Sequence, residues 1–255
     1  MYQESALEIG ELRRASKVFM QELEVRKRII EPKEGFWYPY QTMLNFDLID
    51  QLLRKNRNLL KLIGDEPIAD IGAADGDIAF FLSSLGLDVR IIDHAPTNYN
   101  GLRGAQLLKE NLGYPVEIYD MDLDSLQPLP DQHYGFVLFL GTLYHLKNPF
   151  YVLENLARHA SYCLLSTRVA MFAPDRRTRL SDISVAYLLD ERECNNDSTN
   201  YWIFSESGLQ RILTRTGWRI LEYTTIGNTI NSDPTSQEGD ERVFSMLEST
   251  FAKVL

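Results

Sequence analysis

The chain has little cysteine, little histidine and no long apolar run. Two cysteines, Cys163 and Cys194, in 255 residues cannot build a disulfide framework. Four scattered histidines show no ligand spacing, so no metal is expected. No apolar stretch approaches the ~20 residues of a membrane span. The start, Met1-Tyr-Gln-Glu-Ser5, has no basic segment followed by an apolar one. No membrane partner and a cytoplasmic location are therefore expected. Basic residues are also scarce: 26 Lys plus Arg stand against 36 Asp plus Glu, a net charge of −10. A nucleic-acid partner needs a basic face. The available clusters, Arg54-Lys55-Asn56-Arg57 and Arg168 with Arg176-Arg177-Thr178-Arg179, are not interleaved with aromatics for base stacking. Solvated charges are the simpler account, and a small-molecule partner is favoured over tRNA. Internal repeats and low-complexity linkers are lacking too.

What is there centres on Pro67-Ile-Ala-Asp70-Ile-Gly72-Ala73-Ala74-Asp75-Gly76-Asp77. A short apolar strand ends in an acid, and a turn of small residues leads into a helix. Such a turn lets the backbone approach a ligand closely. The next apolar run, Asp88 to Asp93, ends in a second acid, 93 − 70 = 23 residues on. That is about the spacing at which a nucleotide-binding fold grips a ribose. A dinucleotide fingerprint wants glycine where this chain has Gly72, Ala74 and Asp77. A carboxylate at the helix start repels pyrophosphate but accepts hydrogen bonds from an ammonium group or ribose hydroxyls. S-adenosyl-L-methionine suits the loop better than NAD.

Strands and helices then alternate. A helix is predicted at about 99–112, strands at 116–119 and 134–140, a helix at about 149–159 and a strand at 162–166. A helix after Ser205, a strand at 218–225 and a last strand at 242–248 follow. The pattern predicts an α/β, Rossmann-like doubly wound, mostly parallel seven-stranded sheet with helices on both faces. In such sheets ligands sit outside the carboxyl ends of the strands, where Asp70, Asp93, Asp122 and Gly141 fall.

On these motifs the chain from about Pro67 to Arg168 resembles the class I S-adenosylmethionine-dependent methyltransferases. The resemblance implies that Asp70, Gly72, Ala73, Ala74 and Gly76 hold the methionine part. It gives Asp93, with His94, the ribose, and Asp122 with Leu123 the adenine. Leu140, Gly141 and Tyr144 complete the cofactor set. Ala74 replaces the usual middle glycine. A narrower resemblance, carried by Leu140-Gly-Thr-Leu-Tyr144-His145-Leu-Lys-Asn-Pro149 and Asn200-Tyr-Trp-Ile-Phe204-Ser205, is to the tRNA wobble-uridine carboxymethyltransferases. It implies a carboxylated form of the cofactor, with Tyr144 near the carboxylate and Lys33 and Arg242 as loosely placed partners. Where that family has a Trp-rich stretch, this chain has Gly35-Phe-Trp-Tyr-Pro-Tyr40.

The expected organisation is an N-terminal helical extension with an aromatic loop, residues 1–64, packed on a methyltransferase domain, 65–255, with an insertion at about 168–205. In residues 4–30, Leu12, Ala15, Phe19, Leu23 and Ile30 form an apolar stripe, with charges on the other face. Packing is expected of it, and a homodimer contact stays open. A second helix is predicted at about 43–63. Trp37, Tyr38 and Tyr40 in the loop between these helices, with Arg168 and Trp202, are candidate substrate contacts. In the insertion, a polar run from Glu191 to Asn200 reads as surface loop. Tyr144 and His145 are the candidate catalytic residues: a sulfonium methyl needs an aligned acceptor, and an O–H or N–H acceptor needs a base. The expected activity is methyl transfer to a small molecule. The alternatives are tRNA alkylation and a non-catalytic cofactor-binding module.

Overall fold

The computed structural model describes residues 9–52, 64–125, 127–194, 196–227, 233–235 and 242–251. The chain divides into two compact units, residues 1–122 with 129–138 and residues 123–128 with 139–255.

In the first unit, strands β1 (Ile68–Ile71), β2 (Val89–Asp93) and β3 (Glu117–Asp120) run parallel in the order β3-β2-β1. Strand β4 (Tyr134–Leu140) begins here, with Gly135 N–H donating to Pro67 O at 3.0 Å. All four residues of β1 are buried, Asp70 with its apolar neighbours Ile68, Ala69 and Ile71. The unit also contains helices α1 (Ile9–Ile30), α2 (Asn45–Leu52), α3 (Asp77–Ser84) and α4 (Arg103–Leu112). Helix α1 packs against α2, α3 and α4. Phe81 of α3 meets Phe19 at 5.5 Å and Phe46 at 5.2 Å between ring centroids. These aromatic contacts fix α1 and the start of α2 on the same helix.

The predicted stripe on α1 is present but contains a surprise. Leu12 and Leu23 are buried, yet so is Lys27, which was expected on the charged face. It stands four residues after Leu23 and so extends the inward row. Of the predicted helix at 43–63, Met43 and Leu44 lie in a 3-10 turn, Asn45–Leu52 is α-helical, and residues 53–63, with Leu59 and Ile63, lie outside the described residues. Helix α4 starts at Arg103 rather than about 99. The Asn98 side chain accepts from Asn100 N–H and Leu102 N–H, and so holds a turn there instead.

In the second unit, β5 (Ala160–Ala170) pairs antiparallel with β9 (Arg242–Ser249), which pairs antiparallel with β8 (Trp218–Ile226). Helices α5 (Pro149–His159) and α6 (Glu206–Arg215) belong to it. Pro149 opens α5, where a missing N–H costs nothing. The Ser205 hydroxyl caps α6 by accepting from Gly208 N–H at 3.0 Å. Trp218 is fully buried and donates its indole N–H to Leu153 O at 2.9 Å.

All seven predicted strands are found, and the whole is a mostly parallel, Rossmann-like α/β fold. Two short strands were not predicted. β7 (Trp202–Ser205) runs parallel to the end of β5, and β6 (Ala186–Leu188) lies antiparallel to β7. The insertion is therefore partly sheet, where a surface loop was expected. Ala170, Leu189, Cys194 and Ile203 form its own buried cluster. Both cysteines are free and buried, and burial pushes the Cys163 thiol far above its usual range.

Candidate active-site residues

Each unit carries its own group of expected residues. In the first, β1 delivers Asp70 to the loop and α3 begins at Asp77, with Gly76 as its N-cap. Gly76 has φ 82°, and a Cβ built there would lie 2.5 Å from Ile91 Cδ1, so the position requires glycine. Ala74 also adopts the left-handed region, with φ 55°. An L-residue pays for that conformation, which glycine would adopt without strain.

Asp70 is buried. Burial, and then the charge of Asp93, raise its carboxyl to about 7, against a backbone hydrogen bond from Ala79 that favours the charge. Asp93, at the end of β2, accepts from Ala74 N–H at 3.1 Å and from Asn98 Nδ2 at 2.9 Å on one oxygen. Its other oxygen accepts from His94 N–H at 2.7 Å. Asn98 Nδ2 also donates to Ala74 O at 3.1 Å. The small-residue turn and the second acid are thus one hydrogen-bonded piece. Asp122 lies exposed two residues beyond β3, and Asp120 accepts from Ala95 N–H at 2.9 Å.

Sequence reasoning missed what stands behind this loop. Lys27 Nζ lies 2.7 Å from Asp77 Oδ1, 2.8 Å from Asp77 Oδ2 and 3.5 Å from Asp75 Oδ2. Asp77 was read as an acceptor for a ligand's ammonium or ribose, and the ammonium it holds is the chain's own. Burial pushes Lys27 down, but Asp77 and Asp75 outweigh it and leave the lysine raised above its usual value. Asp75 also accepts from Tyr38 N–H at 2.8 Å and from Asn100 Nδ2 at 2.7 Å. The aromatic loop is therefore tied to the glycine turn through one carboxylate. Trp37 donates its indole N–H to Lys27 O and Glu31 O, closing the end of α1. The Tyr38 ring sits between Tyr40 and Tyr99, at 5.5 and 5.8 Å, and Tyr40 is 69% exposed. Leu23 followed by Lys27 at helical spacing was the available signal.

In the second unit, Leu123 and Leu140 are half-buried. Gly141 follows β4 with φ 73° and donates its N–H to Ser166 O at 2.9 Å. A Cβ on Gly141 would stand 3.5 Å from the Tyr144 hydroxyl, an ordinary contact, so the positive φ rather than space favours glycine there. Tyr144 packs on the Ala170–Leu189–Cys194–Ile203 cluster. His145 ends the turn Leu143–His145, its ring 4.4 Å from that of Tyr144. Burial holds the imidazole below the usual histidine range, against the charge of Asp197. Arg168 is buried and donates to Cys194 Sγ at 2.9 Å and Asp233 O at 3.2 Å. Trp202 donates to Lys147 O at 3.2 Å. Lys33 and Arg242 are placed in the aromatic loop and at the start of β9. Among the described residues no group of three or more His, Cys, Asp or Glu could hold a metal, and no helix is long and apolar enough to cross a membrane.

The profile of one family, described as a methyltransferase domain, matches residues 44–223, more than half of the chain. The chain belongs to the methyltransferase domain family. No curated protein matches this methyltransferase-domain chain in sequence. Solved structures match it in fold. The N-terminal domain of EvdMO1, crystallised with SAH bound, has a TM-score of 0.58 at 19% identity, over 90% of this chain and 96% of that one. The [4+2]-cyclase SpnF has a TM-score of 0.57 at 12% identity, over 93% and 95%. TehB from Haemophilus influenzae has 0.53 at 18% identity, over 82% and 63%. At such identities the likeness is one of fold alone.

Proposed function

We propose that this protein binds S-adenosyl-L-methionine and transfers its methyl group to a small-molecule acceptor. The observation that carries the reading is the Asp93 carboxylate bound by Ala74 N–H at 3.1 Å, which locks the acid after β2 to the turn after β1. Asp70, Gly72, Ala73, Ala74, Gly76, Asp93, His94 and Asp122 would hold the cofactor in the first unit. Leu123, Leu140, Gly141 and Tyr144 are the proposed cofactor residues of the second. Gly76, whose φ of 82° and packing against Ile91 and Phe80 leave no place for a Cβ, fixes the turn that precedes α3. The SAH bound to the EvdMO1 domain supports the choice of ligand.

The bound cofactor would supply an activated methyl on a sulfonium. The chain's own tasks are to fix its ribose, place the acceptor and hold the acceptor's proton. Asp93 and the turn serve the first task. Trp37, Tyr38 and Tyr40 are proposed for the second, and His145 with Tyr144 for the third. The net charge of −10 disfavours a polyanionic tRNA acceptor.

Calorimetric titration with S-adenosylhomocysteine, with Asp93→Ala as control, tests the reading. Micromolar binding that weakens sharply in the variant is expected, followed by turnover in an acceptor panel. Absence of binding to the wild type would overturn it. Binding without turnover would leave a non-catalytic module, and salt-dependent binding of tRNA would favour the alkyltransferase reading.

A further inference from the structure

The polar run from Glu191 to Asn200 contains a hydrogen-bonded chain that ends on His145. The Asp197 carboxylate accepts from Thr199 N–H at 2.9 Å and from the Thr199 hydroxyl at 2.6 Å. The Thr199 hydroxyl has one hydrogen, and Asp197 takes it. Thr199 Oγ1, 2.9 Å from His145 Nδ1, must then act as acceptor in that contact. Thr199 O, 3.2 Å from the same nitrogen, is a carbonyl and can only accept. Both partners therefore demand a hydrogen on Nδ1. A neutral imidazole with Nδ1–H carries its lone pair on Nε2.

We propose that Asp197 and Thr199 are positioning residues that hold His145 as the Nδ1–H tautomer, so that Nε2 is the base for an acceptor whose nucleophilic oxygen or nitrogen carries a proton. The inference rests on the methyl-transfer reading above and deepens it by naming the acceptor class. The acceptor passes its proton to Nε2, and its lone pair forms the bond to the methyl carbon. The pair of the broken carbon–sulfur bond stays on sulfur as a thioether, and the imidazolium returns its proton to solvent. An acceptor with no proton to lose would gain nothing from this arrangement.

The surroundings suit a base. Burial lowers the affinity of His145 for a proton, and Asp197 and the Thr199 backbone raise it, the net direction being downward, which favours the neutral ring. The Tyr144 ring lies 4.4 Å away, and the Lys147 ammonium is drawn to the Tyr201 ring at 5.7 Å. Developing positive charge on the ring would be stabilised by Asp197 through Thr199, the role an acid plays behind a catalytic histidine.

Nitrogen-15 NMR of the full chain labelled in histidine reads the tautomer without any substrate, with His145→Gln assigning the resonance among the four histidines. Wild type is expected to show a protonated Nδ1 and a bare Nε2. Thr199→Val should mix the tautomers, and Thr199→Ser should restore the wild-type signal. Asp197→Asn should lower the pH at which the ring titrates. A dominant Nε2–H form would overturn the tautomer. A Thr199→Val protein with the wild-type tautomer, held by the Thr199 carbonyl that the variant keeps, would overturn the positioning role of the Thr199 hydroxyl and Asp197. In turnover with the acceptor found by the panel, Thr199→Val is expected to lower kcat about tenfold to a hundredfold with KM little changed, less than the roughly 10²–10⁴-fold that loss of the base itself would cost. Unchanged kcat with intact S-adenosylhomocysteine binding would sink the relay alone. Loss of that binding in the wild type would sink the methyl-transfer reading instead, while the tautomer stays readable.

Discussion

The ammonium of Lys27 grips both carboxylate oxygens of Asp77, from fifty positions away in the chain. Both residues are buried, as is Asp75, the second acid within reach. A buried pair of this kind adds little beyond what apolar packing would give, but removing one member strands the other. Lys27→Met is expected to destabilise the protein by about 3–5 kcal/mol. It should also weaken S-adenosylhomocysteine binding, because Asp75 and Asp77 flank Gly76. Urea unfolding and calorimetry check the two effects separately. A variant as stable as wild type would show that the pair contributes nothing.

Ala74 makes the opposite case. Its φ of 55° costs an L-residue about 1–2 kcal/mol. Ala74→Gly removes that strain and adds unfolded-chain freedom worth about 0.4–1 kcal/mol. The variant should be more stable by up to about 1.6 kcal/mol and keep its ligand affinity, as thermal unfolding with and without S-adenosylhomocysteine would report.

Gly76→Ala should fail on both counts. The new methyl would press on Ile91 Cδ1, in a residue buried at 0% exposure, at a backbone angle hostile to side chains. A loss of about 1–3 kcal/mol in stability is expected from overpacking, with reduced ligand affinity. Wild-type stability would mean that β2 yields more easily than its packing suggests.

Much of this was legible in the residues, and the illegible parts share a cause. Ile68–Ile71 and Tyr134–Leu140 announce themselves as strands because, Asp70 apart, they are runs of apolar residues, buried in all but Leu140. Ser205 announces α6 because its hydroxyl has a local N–H to accept from. Lys27 could not be read this way, since only Asp75 and Asp77, far along the chain, make a buried lysine tolerable. The β6–β7 pair escaped because three and four residues are too few to show a period. Thr199 and Asp197 were hidden in a polar run whose order comes from bonds to one another and to His145.

Stability should also depend on pH through Asp70. Its folded carboxyl titrates at about 7, raised first by burial and then by Asp93, whereas a free aspartate titrates near about 3.9. Between those values the folded protein keeps a proton that the unfolded chain has lost. The contribution of Asp70 is then full at low pH, falls as pH rises toward 7 and is flat above. The slope can reach about 1.4 kcal/mol per pH unit. Asp70→Asn should flatten it in urea midpoints measured between about pH 5 and 8. An identical slope in the variant would exclude Asp70 as its source.

The three tryptophans stand in three unlike settings. Trp218 is sealed in the core, Trp202 is half-exposed against the Lys147 carbonyl, and Trp37 lies with the Lys27 ammonium 5.3 Å from its ring centre. An indole beside a cation, one in partial contact with water and one in a dry interior emit light differently. Replacing two of the three by phenylalanine in turn leaves a single fluorophore with a known address. The Trp37 version would turn the end of α1 into an optical gauge of the loop that Lys27 supports, readable in real time as a ligand arrives.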